Sequence, residues 1–162
     1  MNIILALIIT VGTFFFMEFM AWFTHKYVMH GFLWVLHEDH HVPHKGWFEK
    51  NDAFFLIFAI PSMVCFILGV EGGVNLFLFV GLGILLYGMA YFFVHDIFIH
   101  QRFELFKRTN NPYMMALRKA HKVHHKYIVK EDGECFGMLV VPFKYFREAR
   151  KASKVKKEAG VA

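Results

Sequence analysis

The stretch VNLFLFVGLGILLYGMAYFFVHDIFIH, Val74 to His100, changes character once along its length. Val74 to Val94 carries no charge, and at about 1.5 Å rise per residue it is long enough to cross a hydrocarbon core of roughly 30 Å. A pair of histidines, five residues apart, follows at once. Outward from this block, Ala53 to Val70 is also uncharged and only just long enough to span, and Asn2 to Phe23 holds a single charge, Glu18. Three such blocks in 162 residues, in a chain that is 57% hydrophobic, leave too little polar surface to cover them as a soluble core. The expected fold is an all-α integral membrane protein of about three transmembrane helices. No Lys or Arg precedes the first block, so it reads as a retained anchor and not a cleaved signal.

All 18 Lys and Arg residues fall within Lys26 to Lys50 and Arg102 to Lys157. The positive-inside rule then puts both regions in the cytoplasm, with the N-terminus and the Glu71-Gly72-Gly73 turn outside. The basic run REARKASKVKK, Arg147 to Lys157, fits a juxtamembrane segment meeting anionic lipid, and the net charge of +5 needs no nucleic-acid partner. Residues 1–152 form one membrane-embedded domain on this reading, with 153–162 a basic, disordered tail. Whether CFGMLVVPF, residues 135–143, forms a fourth, short re-entrant segment stays open. Cys65 and Cys135 lie in different environments, so neither a disulfide nor a C-x-x-C site is expected. Gly81-Leu82-Gly83 reads as a helix-packing feature.

Ten of the eleven histidines fall into a pattern stated twice: HKYVMH then HEDHH, and HDIFIH then HKVHH. The first pair, His25 and His30, recurs 70 residues on as His95 and His100; the cluster His37, His40 and His41 recurs 84 residues on as His121, His124 and His125. Under the topology above, all four groups emerge at one membrane face and build a histidine-rich helical cap there. In an α-helix, H-x-x-H-H presents its three imidazoles together, whereas a five-residue spacing puts two rings about 140° apart, so each H-x-x-x-x-H pair should flank a site. Asn111 and Pro112 start a helix through the last cluster; Gly31 and Pro43 bracket a short one through the first.

Leu36 to His44, LHEDHHVPH, also contains H-E-x-x-H, the pattern in which two histidines hold zinc and the glutamate is a general base. The second cluster has Lys122 where that glutamate should stand, so the shared feature is H-x-x-H-H and Glu38 is a bystander. Ten neutral imidazoles exceed what one ion needs. Two ions, each taking four or five, fit the count and the duplication, and imidazole suits iron, zinc and copper. A haem protein would need histidines at mid-span and a transporter polar groups through the bilayer, and neither is present.

The order HKYVMHG, LHEDHHVPHKGWFEKND, YFFVHDIFIHQRF and AHKVHH resembles the bacterial β-carotene hydroxylases, members of the wider fatty acid hydroxylase and sterol desaturase superfamily. The resemblance runs from about Glu18 to Pro142. It implies two non-haem irons held by His25, His30, His37, His40, His41, His95, His100, His121, His124 and His125. It further implies O₂ as co-substrate, hydroxylation of carbon 3 on each β-ionone ring of β-carotene to give zeaxanthin by way of β-cryptoxanthin, and a location in a bacterial inner membrane. Electrons would come from a ferredoxin-type donor and its reductase, since no flavin or nicotinamide motif is present. The nearest alternatives are a membrane lipid desaturase or a carotenoid ketolase.

His44 lies outside the duplicated pattern and is unassigned. Glu18, Tyr91 and Asp96 are the catalytic candidates. Glu18 either orients a ligand histidine or reaches water near the interface; Tyr91, in a stripe with Tyr87 and His95, either lines a substrate tunnel or packs helices; Asp96 is placed to support a neighbouring imidazole. Arg102, Lys107 and Arg108 either dock an acidic donor or form a solvated basic patch.

Overall fold

The computed structural model describes residues 2–42, 46–103, 105–131 and 133–160. Six α-helices are found among them, and no strand: α1 (Ile3–Phe23), α2 (Trp34–His41), α3 (Phe54–Val70), α4 (Leu76–Phe92), α5 (Pro112–His124) and α6 (Phe143–Glu158). Ile3–Phe32, Lys50–Val70 and Leu76–Ile99 are long and apolar enough to cross a membrane. Their flanks leave large side chains such as Ile3 (69%), Phe15 (69%) and Phe55 (70%) open, a surface suited to lipid and not to water. This is the integral membrane protein expected.

α4 is the central span, packed against both α1 and α3. Gly81 faces α3, where an added Cβ would meet Cys65 Cβ and the Ser62 carbonyl at 3.1 Å; Gly83 faces α1, where it would meet Thr13 Cβ at 2.6 Å. One glycine therefore lets each neighbour approach, as the Gly-Leu-Gly pattern implied. Asn2, Asn75 and Asn111 cap α1, α4 and α5 by accepting backbone N–H bonds, and Pro112 takes the first position of α5.

α1 and α4 do not end where their α-helical turns end. Each runs on as a wider π-helical segment, Thr24–Phe32 and Phe93–Ile99, in which Leu33 N–H bonds Val28 O and His100 N–H bonds His95 O, an i→i−5 step. Gly31, at φ −101° and ψ −124°, breaks the first of them and turns the chain into α2.

α6 lies on α5 through Ala116, Ala120, Tyr145 and Ala149. It extends to Glu158, and Ser153 is buried with its hydroxyl donating to the Asn110 carbonyl at 2.6 Å. The boundary at 152 thus falls inside a helix, because that face packs on α5 as well as carrying charge. The segment 135–142 runs beside α1 at the depth of Glu18, about 10 Å below His25 along the helix. Glu18 accepts the backbone N–H groups of Met138 (3.0 Å), Leu139 (2.9 Å) and Val140 (2.9 Å), and Tyr113 donates to Leu139 O at 2.6 Å. Irregular backbone beside an apolar span must have its polar groups satisfied by protein, and here a carboxylate does it.

Candidate metal centre

The three spans bring every described histidine to one end. Five of them, His25, His30, His37, His41 and His124, present ring nitrogens that all lie within 4.8 Å of one another; His40, His95, His100 and His121 form a second such group. The π-helical turns are what make this work. A repeat of i→i+5 brings the fifth residue round to the same side, so the ring centroids of His25 and His30 are 5.2 Å apart and those of His95 and His100 are 4.5 Å apart. This corrects the flanking arrangement that α-helical spacing implied.

His125 completes the set. Its ring stacks on His41 at 4.6 Å and lies 4.5 Å from His121, 4.8 Å from His40 and 4.9 Å from His100, with a buried Nε2 that has no hydrogen-bond partner. The duplication says where it belongs. Mapping the first group through the repeat, His25 to His95, His30 to His100, His37 to His121, His41 to His125 and His124 to His40, reproduces the second group with His125 as its fifth member. The middle histidine of each H-x-x-H-H, His40 or His124, crosses to the opposite group.

The outer nitrogens are tied down. Nδ1 of His25, His30, His41 and His124 donates to the backbone carbonyls of Phe136 (3.0 Å), Lys130 (3.1 Å), Tyr127 (2.9 Å) and Glu134 (2.9 Å); His37 Nδ1 donates to Asn51 Oδ1 at 2.6 Å. In the second group, His40 Nδ1 donates to Glu49 Oε2 at 2.7 Å, and His95 Nδ1 faces Asp96 Oδ2 at 3.4 Å. With Nδ1 carrying the proton, Nε2 keeps its lone pair and points inward. Those lone pairs face each other: His25 to His37 at 3.1 Å, His41 to His37 at 3.2 Å, His30 to His124 at 3.3 Å and His40 to His95 at 3.0 Å, and the Nε2 atoms of His100 and His121 also stand 2.8 Å apart.

Such contacts repel unless a cation lies between them. Protonation is opposed: burial first, and neighbouring imidazoles after it, lower His37 and His124 to about 2, His125 to about 3 and His41 to about 4, against a smaller upward effect of the Asn51 bond at His37. His40, His100 and His121 are lowered by the same causes. A metal ion is the remaining cation. Two nitrogens each about 2.1 Å from an ion and at right angles stand about 3 Å apart, so the residues present fit a transition metal in each group.

Glu38 lies on the exposed face of α2 while His37, His40 and His41 are buried, which removes the zinc-protease reading. Asp96 stands beside His95, with Oδ2 3.4 Å from Nδ1. The Tyr91 ring abuts that of His95 at 5.0 Å, whereas the Tyr87 hydroxyl donates to Glu18 at 2.7 Å. Glu18 acts at one remove: its carboxylate holds the segment whose Phe136 carbonyl holds His25. Arg102 does not belong to an outward basic patch. It turns inward, bonding Asp52 at 2.6 Å and Asp96 at 3.1 Å and lying 3.4 Å from Glu49, while Lys107 and Arg108 are exposed. Burial raises the Glu49 carboxyl against the opposing pull of Arg102. Pro43 and His44 lie outside the described residues. Asn51, Glu49 and Asp52, in the turn Lys50–Ala53 and its cap, were not singled out by sequence reasoning; the signal was four polar residues, Glu49 to Asp52, immediately before an uncharged span.

Relatives carry names consistent with this geometry. The chain is 40% identical over 123 residues to a beta-carotene hydroxylase of Pseudescherichia vulneris, covering 76% of this chain and 69% of that protein. It is 41% identical over 126 residues to a beta-carotene hydroxylase of Pantoea ananas, covering 78% and 71%. A chloroplastic beta-carotene 3-hydroxylase 2 of Arabidopsis thaliana is 40% identical over 129 residues, covering 78% of this chain and 42% of that longer protein. No solved structure matches. The fatty acid hydroxylase family matches residues 10–144, a range that takes in Glu18 and all ten paired histidines, and with the two bacterial relatives this similar over most of their length the chain belongs to that family.

Proposed function

We propose that the chain is a membrane β-carotene 3-hydroxylase holding two non-haem irons, one in each histidine group, and that it converts β-carotene to zeaxanthin through β-cryptoxanthin. The observation that carries the metal reading is the inward set of buried Nε2 atoms, spaced for ligation. The relatives' names carry the substrate. Bound iron would supply the activation of O₂ and the cleavage of the ring C–H bond, with two electrons per hydroxylation from a ferredoxin-type donor and its reductase.

The chain's own part is to fix the ligands and keep the site dry. Seven of the ten imidazoles have an Nδ1 held by an acceptor, which sets their ring planes and tautomers before any ion arrives. The two groups are neighbours because His40 and His41, and likewise His124 and His125, are consecutive residues serving different groups. Placing the basic residues inside puts the site at the cytoplasmic face of a bacterial inner membrane. An apolar polyene then stays among lipid tails while one end ring reaches the metals, so the second hydroxylation requires release and reversal of the molecule.

Expression in cells that make β-carotene, followed by pigment chromatography, tests the activity. The expected products are free β-cryptoxanthin, then zeaxanthin. Keto-carotenoids or ring-desaturated products would replace the hydroxylase reading with its alternatives, and zeaxanthin formed with no β-cryptoxanthin under limiting enzyme would refute the one-ring-at-a-time geometry.

A further inference from the structure

The two histidine groups match in number and differ in what stands behind them. Every outer nitrogen of the first group donates to a neutral oxygen: four backbone carbonyls and the Asn51 amide. In the second group the acceptors are carboxylates, Glu49 behind His40 and Asp96 behind His95. Arg102 ties these to Asp52. One guanidinium against three carboxylates leaves this cluster with a net charge of about −2. Asn51 and Glu49 sit two residues apart on one turn, so a single short segment presents an amide to one group and a carboxylate to the other.

We infer that the two metal positions are unequal, and that Glu49 is the positioning residue that makes the second, His40, His95, His100, His121 and His125, the tighter site for a divalent transition ion. An imidazole whose N–H is held by a carboxylate gains imidazolate character, donates more strongly through Nε2 and favours the more highly charged state of the metal. The charge behind the second group adds to this through space, in an interior where it is poorly screened. The first group has no carboxylate on its outer nitrogens. The inference rests on the two-metal reading above and goes beyond it by ranking the positions.

Titration of the metal-free full chain in detergent with Co²⁺, followed by its visible absorption, tests the ranking without using turnover. The expected result is two resolved steps, of which His100→Ala removes the tighter and His41→Ala the weaker. Glu49→Gln keeps an oxygen acceptor for His40 and deletes only the charge; it should weaken the tighter step by about 10- to 100-fold and leave the other in place. Asn51→Asp puts a carboxylate behind His37 and should tighten the weaker step, an outcome that loss of folding cannot imitate. With ⁵⁷Fe, only one of two Mössbauer doublets should move in Glu49→Gln. Equal weakening of both steps by Glu49→Gln, or no response to either substitution, would overturn the inference while two-metal binding stood. Failure of the wild type to take up any transition ion would instead remove the metal reading itself.

Discussion

Glu18 separates a structural from a chemical role for the one carboxylate inside the first span. Its two oxygens accept four donors: the Tyr87 hydroxyl and the N–H groups of Met138, Leu139 and Val140. Glu18→Leu leaves all four without a partner beside an apolar helix, at about 1 to 3 kcal/mol each. Val140 is exposed and its end of the segment can find other partners, so the low end of that range applies and the loss is about 4 kcal/mol, a large part of a typical stability. The segment it releases carries the Phe136 and Glu134 carbonyls that hold His25 and His124. Glu18→Leu is therefore expected to lower the melting temperature in detergent and to shed metal from the first group before the second. Glu18→Gln behaves differently, because its carbonyl can keep the three backbone donors while its NH₂ faces a tyrosine hydroxyl able to accept. It should keep most of the metal and most of the activity at a stability cost of about 1 to 2 kcal/mol. Thermal unfolding, metal content and pigment turnover on the same preparations decide it. A dead Glu18→Gln protein with full metal content would mean that the carboxylate moves a proton and would refute the anchoring account.

Glu38→Gln should keep most activity, since its side chain lies on the exposed face of α2; His41→Ala and His125→Ala should each abolish turnover and release one metal equivalent. Acid should destabilise the metal-free chain, because His37, His41, His124 and His125 titrate in the folded state at about 2 to 4 while the unfolded chain takes protons near 6.5. The unfolded state then binds more protons, so stability falls as pH drops below about 6.5, by up to about 1.4 kcal/mol per pH unit for each histidine, and circular dichroism should show unfolding between about pH 6.5 and 5; a flat profile there would count against neutral buried imidazoles. Cysteines placed at Asn2, Gly72 and Lys156 in a chain without Cys65 and Cys135, exposed to an impermeant reagent on intact cells, should label only at the first two, and labelling at Lys156 would reverse the orientation.

The spans, the helix starts at Asn111 and Pro112, the packing glycines and the two histidine groups as a set were legible in the sequence, because uncharged length, capping chemistry and repetition are written in side-chain identity. The site's inner geometry was not. An α-helix turns every 3.6 residues, and the chain departs from that period where His25, His30, His95 and His100 sit. Four of the acceptors behind the first group are backbone carbonyls, at Tyr127, Lys130, Glu134 and Phe136, which any residue type supplies and no sequence pattern marks. Arg102 read as one more cation in a basic stretch, because the carboxylates that claim it lie six residues back at Asp96 and some fifty back at Glu49 and Asp52.

The crossing of His40 and His124 gives the duplication a physical consequence. If each half of the repeat held its own ion, a half could bind metal by itself and the separation of the two ions would depend on how the halves happened to pack. Instead α2 gives His37 and His41 to one group and His40 to the other, while α5 gives His121 and His125 to one and His124 to the other. Both helices must be docked, and in register, before either group is complete. If each group takes an ion, the alternation within H-x-x-H-H sets the spacing of the two through adjacent residues on one helix, while the paired histidines at the π-helical continuations of α1 and α4 complete each group. Displacing either helix therefore disturbs both groups at once, which predicts that a substitution loosening α2 or α5 without touching a histidine lowers the metal content of both positions together.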